Sequence, residues 1–140
     1  MSNVVETMRA AAQGDGSAQL ELAKGALVQA TDPQQCAVTV LIEGVAYARM
    51  AVMNDTPDAL AVLGHSLVEL SRAYGERGDA PAADECYGHA LAVFAELSSR
   101  TPLPAVLSAV GGSLQTASET VLHHKAFYDR VLGALTAKAA

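Results

Sequence analysis

Apolar residues recur along this chain at three- and four-residue spacing, and short polar breaks separate one run from the next. The clearest stretch covers residues 67–97. Leu67, Leu70 and Tyr74 fall on one helical stripe, a break follows at Gly78 and Asp79, and Ala83, Tyr87, Ala90, Leu91 and Phe94 form a second stripe. Large residues on the first helix facing small ones on the second predict two closely packed antiparallel helices. Punctuation elsewhere predicts further helices. Ser2 caps residues 3–13, Ser17 caps 18–29, and Asp32 with Pro33 opens a third helix that runs to about 53. Thr56 with Pro57 opens a fourth, to about 77, Asp79 caps a fifth that ends near 99, and Thr101 with Pro102 opens a sixth. In each case a Ser, Thr or Asp side chain accepts a backbone N–H bond, and where Pro follows the cap it supplies a preset φ without wasting a donor. Gly111 and Gly112 read either as a break, with Ser113 capping a last helix to about 138, or as a close-packing site inside one long helix.

The most apolar run, residues 36–53, tests the membrane alternative. Glu43 and Arg49 lie well inside it, and a mid-membrane charge costs about 2.5–3.5 kcal/mol. A helix buried among other helices is the expectation. Composition agrees with an all-α chain. About a fifth of the 140 residues are Ala, only 4% are aromatic, and no Trp is present. A net charge of −6 argues against nucleic acid, which needs a basic stripe. With no charged-then-apolar leader at the start and two cysteines, the expected location is cytoplasmic.

The pattern over 67–97 resembles a single tetratricopeptide repeat, in which Leu, Tyr, Gly-Asp, Ala, Tyr and Ala-Leu recur at this spacing. Residues 10–27, reading AAAQGDGSAQLELAKGAL, are similar to the Sel-one-like relatives of that family. Near the C-terminus Leu114, Phe127, Tyr128, Val131 and Leu132 echo 67–97 more faintly. The resemblance implies one domain over 1–140, built as stacked antiparallel helical hairpins (an α-solenoid) with about six or seven helices. It further implies that the first helix of the repeat lines a concave surface, with His65, Val68, Arg72 and Glu76 facing outward. That face is either a solvated polar surface or a modest groove in which Arg72 binds an acidic group and His65 adds a hydrogen bond. Families that grip a terminal carboxylate use several Lys, Arg and Asn there, and this chain has Arg72 alone.

Catalytic patterns are thin. Cys36 and Cys86 read as buried thiols within apolar helical segments, or as a disulfide pair. Cys86 and His89 lack further nearby metal ligands, and His123 and His124 point about 100° apart on a helix. His65 sits in a helix, as phospho-accepting histidines do, but is followed by Val68 and Glu69, which would not neutralise a phosphate. The expected function is a non-catalytic interaction module or adaptor, with no cofactor or metal, that binds a protein or peptide. Self-association and, behind it, phosphotransfer through His65 are the alternatives.

Overall fold

The structure is a computed structural model that describes residues 3–100. It contains five helices and, among the described residues, no strand: α1 (Asn3–Ala12), α2 (Gly16–Gln29), α3 (Ala37–Met53), α4 (Ala59–Glu76) and α5 (Ala80–Arg100). The expected helices after Thr101 and Ser113, and the Gly111–Gly112 question, lie outside the described residues. Each helix packs on its successor in the chain, and α2 also reaches α4. A single core joins Ala23 of α2, Leu41, Val45 and Ala48 of α3, Leu63, Leu67, Val68 and Leu70 of α4, and Ala90 and Phe94 of α5. The two stripes of residues 67–97 therefore meet as expected. Size complementarity also runs the other way, because the Phe94 ring lies over Gly64, where a Cβ would come within 2.8 Å of Cζ. Small residues likewise bring α2 and α3 together at Gly44, where a Cβ would lie 2.7 Å from that of Ala26.

The tight junctions share one device. Gly14 (φ +95°) and Gly78 (φ +78°) end α1 and α4 in the left-handed region that glycine tolerates. At the second, Asp79 N–H donates to Tyr74 C=O (3.0 Å) and Gly78 N–H to Gly75 C=O (3.0 Å). The Asp15–Ala10 and Gly14–Ala11 pairs repeat this 6→1 and 5→2 arrangement, which satisfies the last carbonyls of the helix. The next residue is then an N-cap. Asp15 Oδ1 accepts from Ala18 N–H, and Asp79 Oδ1 from Ala82 N–H, both at 3.2 Å. The recurrent Gly-Asp pair is thus a stop and a start placed side by side. After α3 the same turn is built with Asp55 (φ 53°) in place of glycine.

These junctions correct several helix starts. Asp15 rather than Ser17 caps α2, which begins at Gly16. Helix α3 begins at Ala37, after Cys36, and not at Pro33. Asp32 instead closes a local turn, its carboxylate accepting from Gln34 N–H (2.9 Å) and its carbonyl from Gln35 N–H (3.0 Å). Residues 33–36 are all exposed, so extending the helix through them would bury little to offset the ordering entropy. Helix α4 starts at Ala59, because Asp58 adopts a left-handed φ of 68°. Cys36 is exposed at the N-cap of α3 and Cys86 is half-buried, both as free thiols. Helix α3 buries one face only, with Ile42 and Met53 exposed, and no helix among the described residues is long and apolar enough to cross a membrane.

Side-chain bonds fasten the helix ends across the fold. Buried Gln19 donates to Ala11 C=O (3.0 Å) and accepts from Asn54 Nδ2 (2.8 Å), linking α1, α2 and the end of α3. Ser71 Oγ donates to Ala83 C=O (2.6 Å), tying α4 to α5. A Cβ on Gly16 would collide with the Thr56 hydroxyl and press on Asn54. The α1–α2 junction is therefore seated directly against the α3–α4 junction. Gly16→Ala should lower the unfolding free energy by about 1–3 kcal/mol, as overpacking does, despite the better helix propensity of Ala. Urea denaturation of the two proteins measures this, and an unchanged midpoint would show that the two junctions are not in firm contact.

Candidate functional site

A groove of about 810 Å³ lies between α2, the 30–37 connection and α4. Helix α2 contributes Lys24, Leu27 and Val28 from its C-terminal half, the connection contributes Asp32 and Pro33, and α4 contributes Val62, His65, Glu69, Arg72 and Glu76. The 4-3-4 spacing of 65, 69, 72 and 76 sets those four side chains along one face of the helix. Leu27 and Val62 also pack against the core, so the groove is an apolar trough with a polar wall.

Three of the four expected face residues, His65, Arg72 and Glu76, line this groove. Val68 does not. It is 0% exposed and belongs to the core, and the groove position one turn beyond His65 is held by Glu69. Both 68 and 69 are one turn from 65, so spacing alone permits either. Hydropathy separates them: the aliphatic side chain goes inward and the carboxylate takes the groove, a signal that was available in the sequence.

Arg72 is fixed by its neighbours on the helix. Its Nη1 donates to Glu76 Oε1 at 2.7 Å, and its Nη2 and Nε donate to Glu69 Oε1 at 3.2 and 3.3 Å. The Arg72 and Glu69 side chains are only 10% and 9% exposed and Glu76 is 39% exposed, so the cation bridges one nearly buried carboxylate and one exposed one. Burial raises the Glu69 pKa above its ordinary value, against the lowering effect of Arg72. Burial lowers the pKa of His65, which favours the neutral imidazole at pH 7. Such an arrangement presents a neutral donor–acceptor ring, an apolar floor and a polar wall in which both glutamates bond the Arg72 guanidinium. Of the two sequence readings of this face, a solvated polar surface or a groove in which Arg72 binds an acidic group, the second would require such a group to compete with Glu69 and Glu76, which already engage the guanidinium.

A second, smaller cleft of about 320 Å³ lies where Val4 and Met8 of α1 meet Leu22 of α2 and Tyr47 of α3. Val4, Val5, Met8 and Ile42 are exposed apolar residues of α1 and α3. No group of three or more His, Cys, Asp or Glu residues suited to a metal ion occurs among the described residues, and the His123 and His124 pair lies outside them. Comparison with known proteins gives no match to this chain from any family model, curated protein or solved structure.

Proposed function

We propose that this protein is a non-catalytic interaction module, a stack of helical hairpins of tetratricopeptide type, which binds a protein or peptide segment in the groove between α2 and α4. The observation that carries the reading is the groove itself: an apolar trough of about 810 Å³ walled by the locked Glu69–Arg72–Glu76 network. A receptor whose polar groups are already held by one another loses little side-chain entropy on binding, and an apolar cleft with a few fixed polar groups is the usual form of a recognition site.

Affinity capture with groove variants tests this. A partner retained by the natural protein and by Met53→Asp, a change at an exposed residue that does not line the groove, should be lost with Val28→Asp and weakened at least about fivefold by His65→Ala. Retention by every variant would reject the groove as the binding surface. Self-association is the second reading, favoured by the exposed Val4 and Met8 that line the smaller cleft and by the exposed Val5 and Ile42 of the same two helices, α1 and α3; a concentration-independent monomer mass in sedimentation would reject it. Phosphotransfer through His65 has less support, since the Glu69 carboxylate stands one turn away and would repel a phosphoryl group.

A further inference from the structure

We propose that the smaller cleft, between α1, α2 and α3, is a second docking site whose occupant is a basic amphipathic peptide, with aliphatic side chains flanked by Lys or Arg. It is a different surface from the α2–α4 groove. Helix α2 sends Lys24, Leu27 and Val28 to the groove but Glu21, Leu22 and Gln29 to the cleft, positions on different sides of one helix.

The cleft exists because α1 and α3 both pack on α2 but not on each other. They leave a channel along α2 from Glu21 to Gln29, about 12 Å at the rise of a helix. Val4 and Met8 of α1 form one wall, Leu22 of α2 the floor and Tyr47 of α3 the other wall. Val4 and Met8 are 65% and 50% exposed, so apolar surface here stays in contact with water, as it does where a partner is to be covered. The charged side chains of the lining are Glu21 and Glu43, both exposed, and no Lys, Arg or His joins them among the described residues. The cations carried by these three helices, Arg9, Lys24 and Arg49, fall more than about 100° round their helix axes from the centre of the lining positions.

An apolar channel edged by carboxylates alone selects the sign of its occupant. Lys or Arg beside an aliphatic side chain finds both of its requirements met, whereas an acidic peptide meets like charge. The net charge of −6 steers the same class of partner from a distance. The same pattern disfavours a second copy of this chain. A two-fold interface sets a patch against itself, which would bring the Glu21 and Glu43 side chains of two copies together without a cation between them.

The test uses the full chain and two fluorescein-labelled synthetic peptides of about 18 residues, five helical turns. Each carries Leu and Ala on one face; the other face is Lys in one peptide and Glu in its counterpart. Anisotropy titrations should show the Lys peptide binding at least about tenfold tighter than the Glu peptide, with an advantage that shrinks as salt rises from about 50 to about 500 mM. Glu21→Lys combined with Glu43→Lys should weaken the Lys peptide about tenfold or more, and Met8→Asn about threefold or more. Asp84→Lys combined with Glu85→Lys makes the same change in net charge on exposed positions of α5 and should have a much smaller effect. Val28→Asn, in the other groove, should have none. Circular dichroism confirms that these variants, all changed at exposed positions, keep their helices. Equal loss from the two double variants would assign the attraction to the acidic surface at large and overturn the inference. So would equal or tighter binding of the Glu peptide, or failure of both peptides to bind. Binding that is lost with Val28→Asn and indifferent to Met8→Asn would place the peptide in the α2–α4 groove, overturning this inference and leaving that reading standing. A dimer of the chain alone that Met8→Asn dissociates in sedimentation would give the cleft to a second copy and overturn it as well.

Discussion

Phe94→Ala should destabilise the protein by about 3–5 kcal/mol, the range for removing a fully buried phenyl ring from a packed core. Against a typical domain stability of about 5–15 kcal/mol, that loss leaves a substantial unfolded population in mild denaturant. Phe94 heads the fully buried side chains by volume and is 0% exposed. Its ring is what α5 inserts into the notch that Gly64 leaves on α4. The notch makes the prediction more specific than a general cost of truncation. Gly64→Ala alone would place a Cβ 2.8–3.1 Å from three ring carbons, closer than carbon atoms pack, so it should be destabilising. In the Phe94→Ala background the obstruction is gone, and Ala in a helix interior is about 1 kcal/mol better than Gly. Gly64→Ala should therefore change sign, from harmful to helpful, across a double-mutant cycle measured by guanidinium unfolding. The same sign in both backgrounds would mean that the ring does not rest on Gly64.

That notch also shows how far the sequence can be read. Leu67, Leu70, Ala90 and Phe94 fall on apolar stripes whose period is fixed by helix geometry, so their burial follows from spacing. Gly78 and Asp79 follow from backbone chemistry, since few residues other than glycine end a helix left-handed and Asp is a favoured cap. Which residue of α4 lies beneath Phe94 does not follow from either. It depends on the relative translation of two helices, and small residues permit a close approach without dictating where it happens. The start of α3 was illegible for a different reason. Asp32 and Pro33 satisfy the local rules for a helix N-terminus and for a turn equally well, and the outcome turns on how much apolar surface the following residues can bury. The groove is a tertiary object of the same kind. The spacing of His65, Arg72 and Glu76 marks one wall, but Leu27, Val28 and Asp32 opposite it come from an element whose approach to α4 no local signal specifies.

Arg72→Ala should cost about 3 kcal/mol near neutral pH, because it removes the guanidinium that bonds the nearly buried Glu69 carboxylate. The exposed Glu76 pair adds at most a few tenths of a kcal/mol to that loss. The diagnostic is the pH dependence. Burial already lifts the Glu69 pKa in the folded protein above its ordinary 4.5, and Arg72 is the group that opposes the rise. Without Arg72 the folded-state pKa climbs further, while the unfolded-state value stays near 4.5. A carboxyl with a raised folded pKa takes up its proton in the folded state first. Folding is therefore favoured progressively as pH falls through the folded value, and the gain stops near the unfolded one. The variant should recover stability relative to the natural protein between about pH 8 and about pH 5. His65 works in the opposite direction: burial lowers its pKa, so stability falls as pH drops below its ordinary 6.5. That contribution is common to both proteins and largely cancels in the difference. Adding Glu69→Gln should remove both the pH dependence and most of the cost of Arg72→Ala, since a neutral amide does not demand a cation. Urea unfolding of the four proteins at the two pH values gives the comparison. A loss from Arg72→Ala that is constant with pH and survives Glu69→Gln would assign the role of Arg72 to packing of its aliphatic stem, and the polar wall of the groove would then not be held by charge.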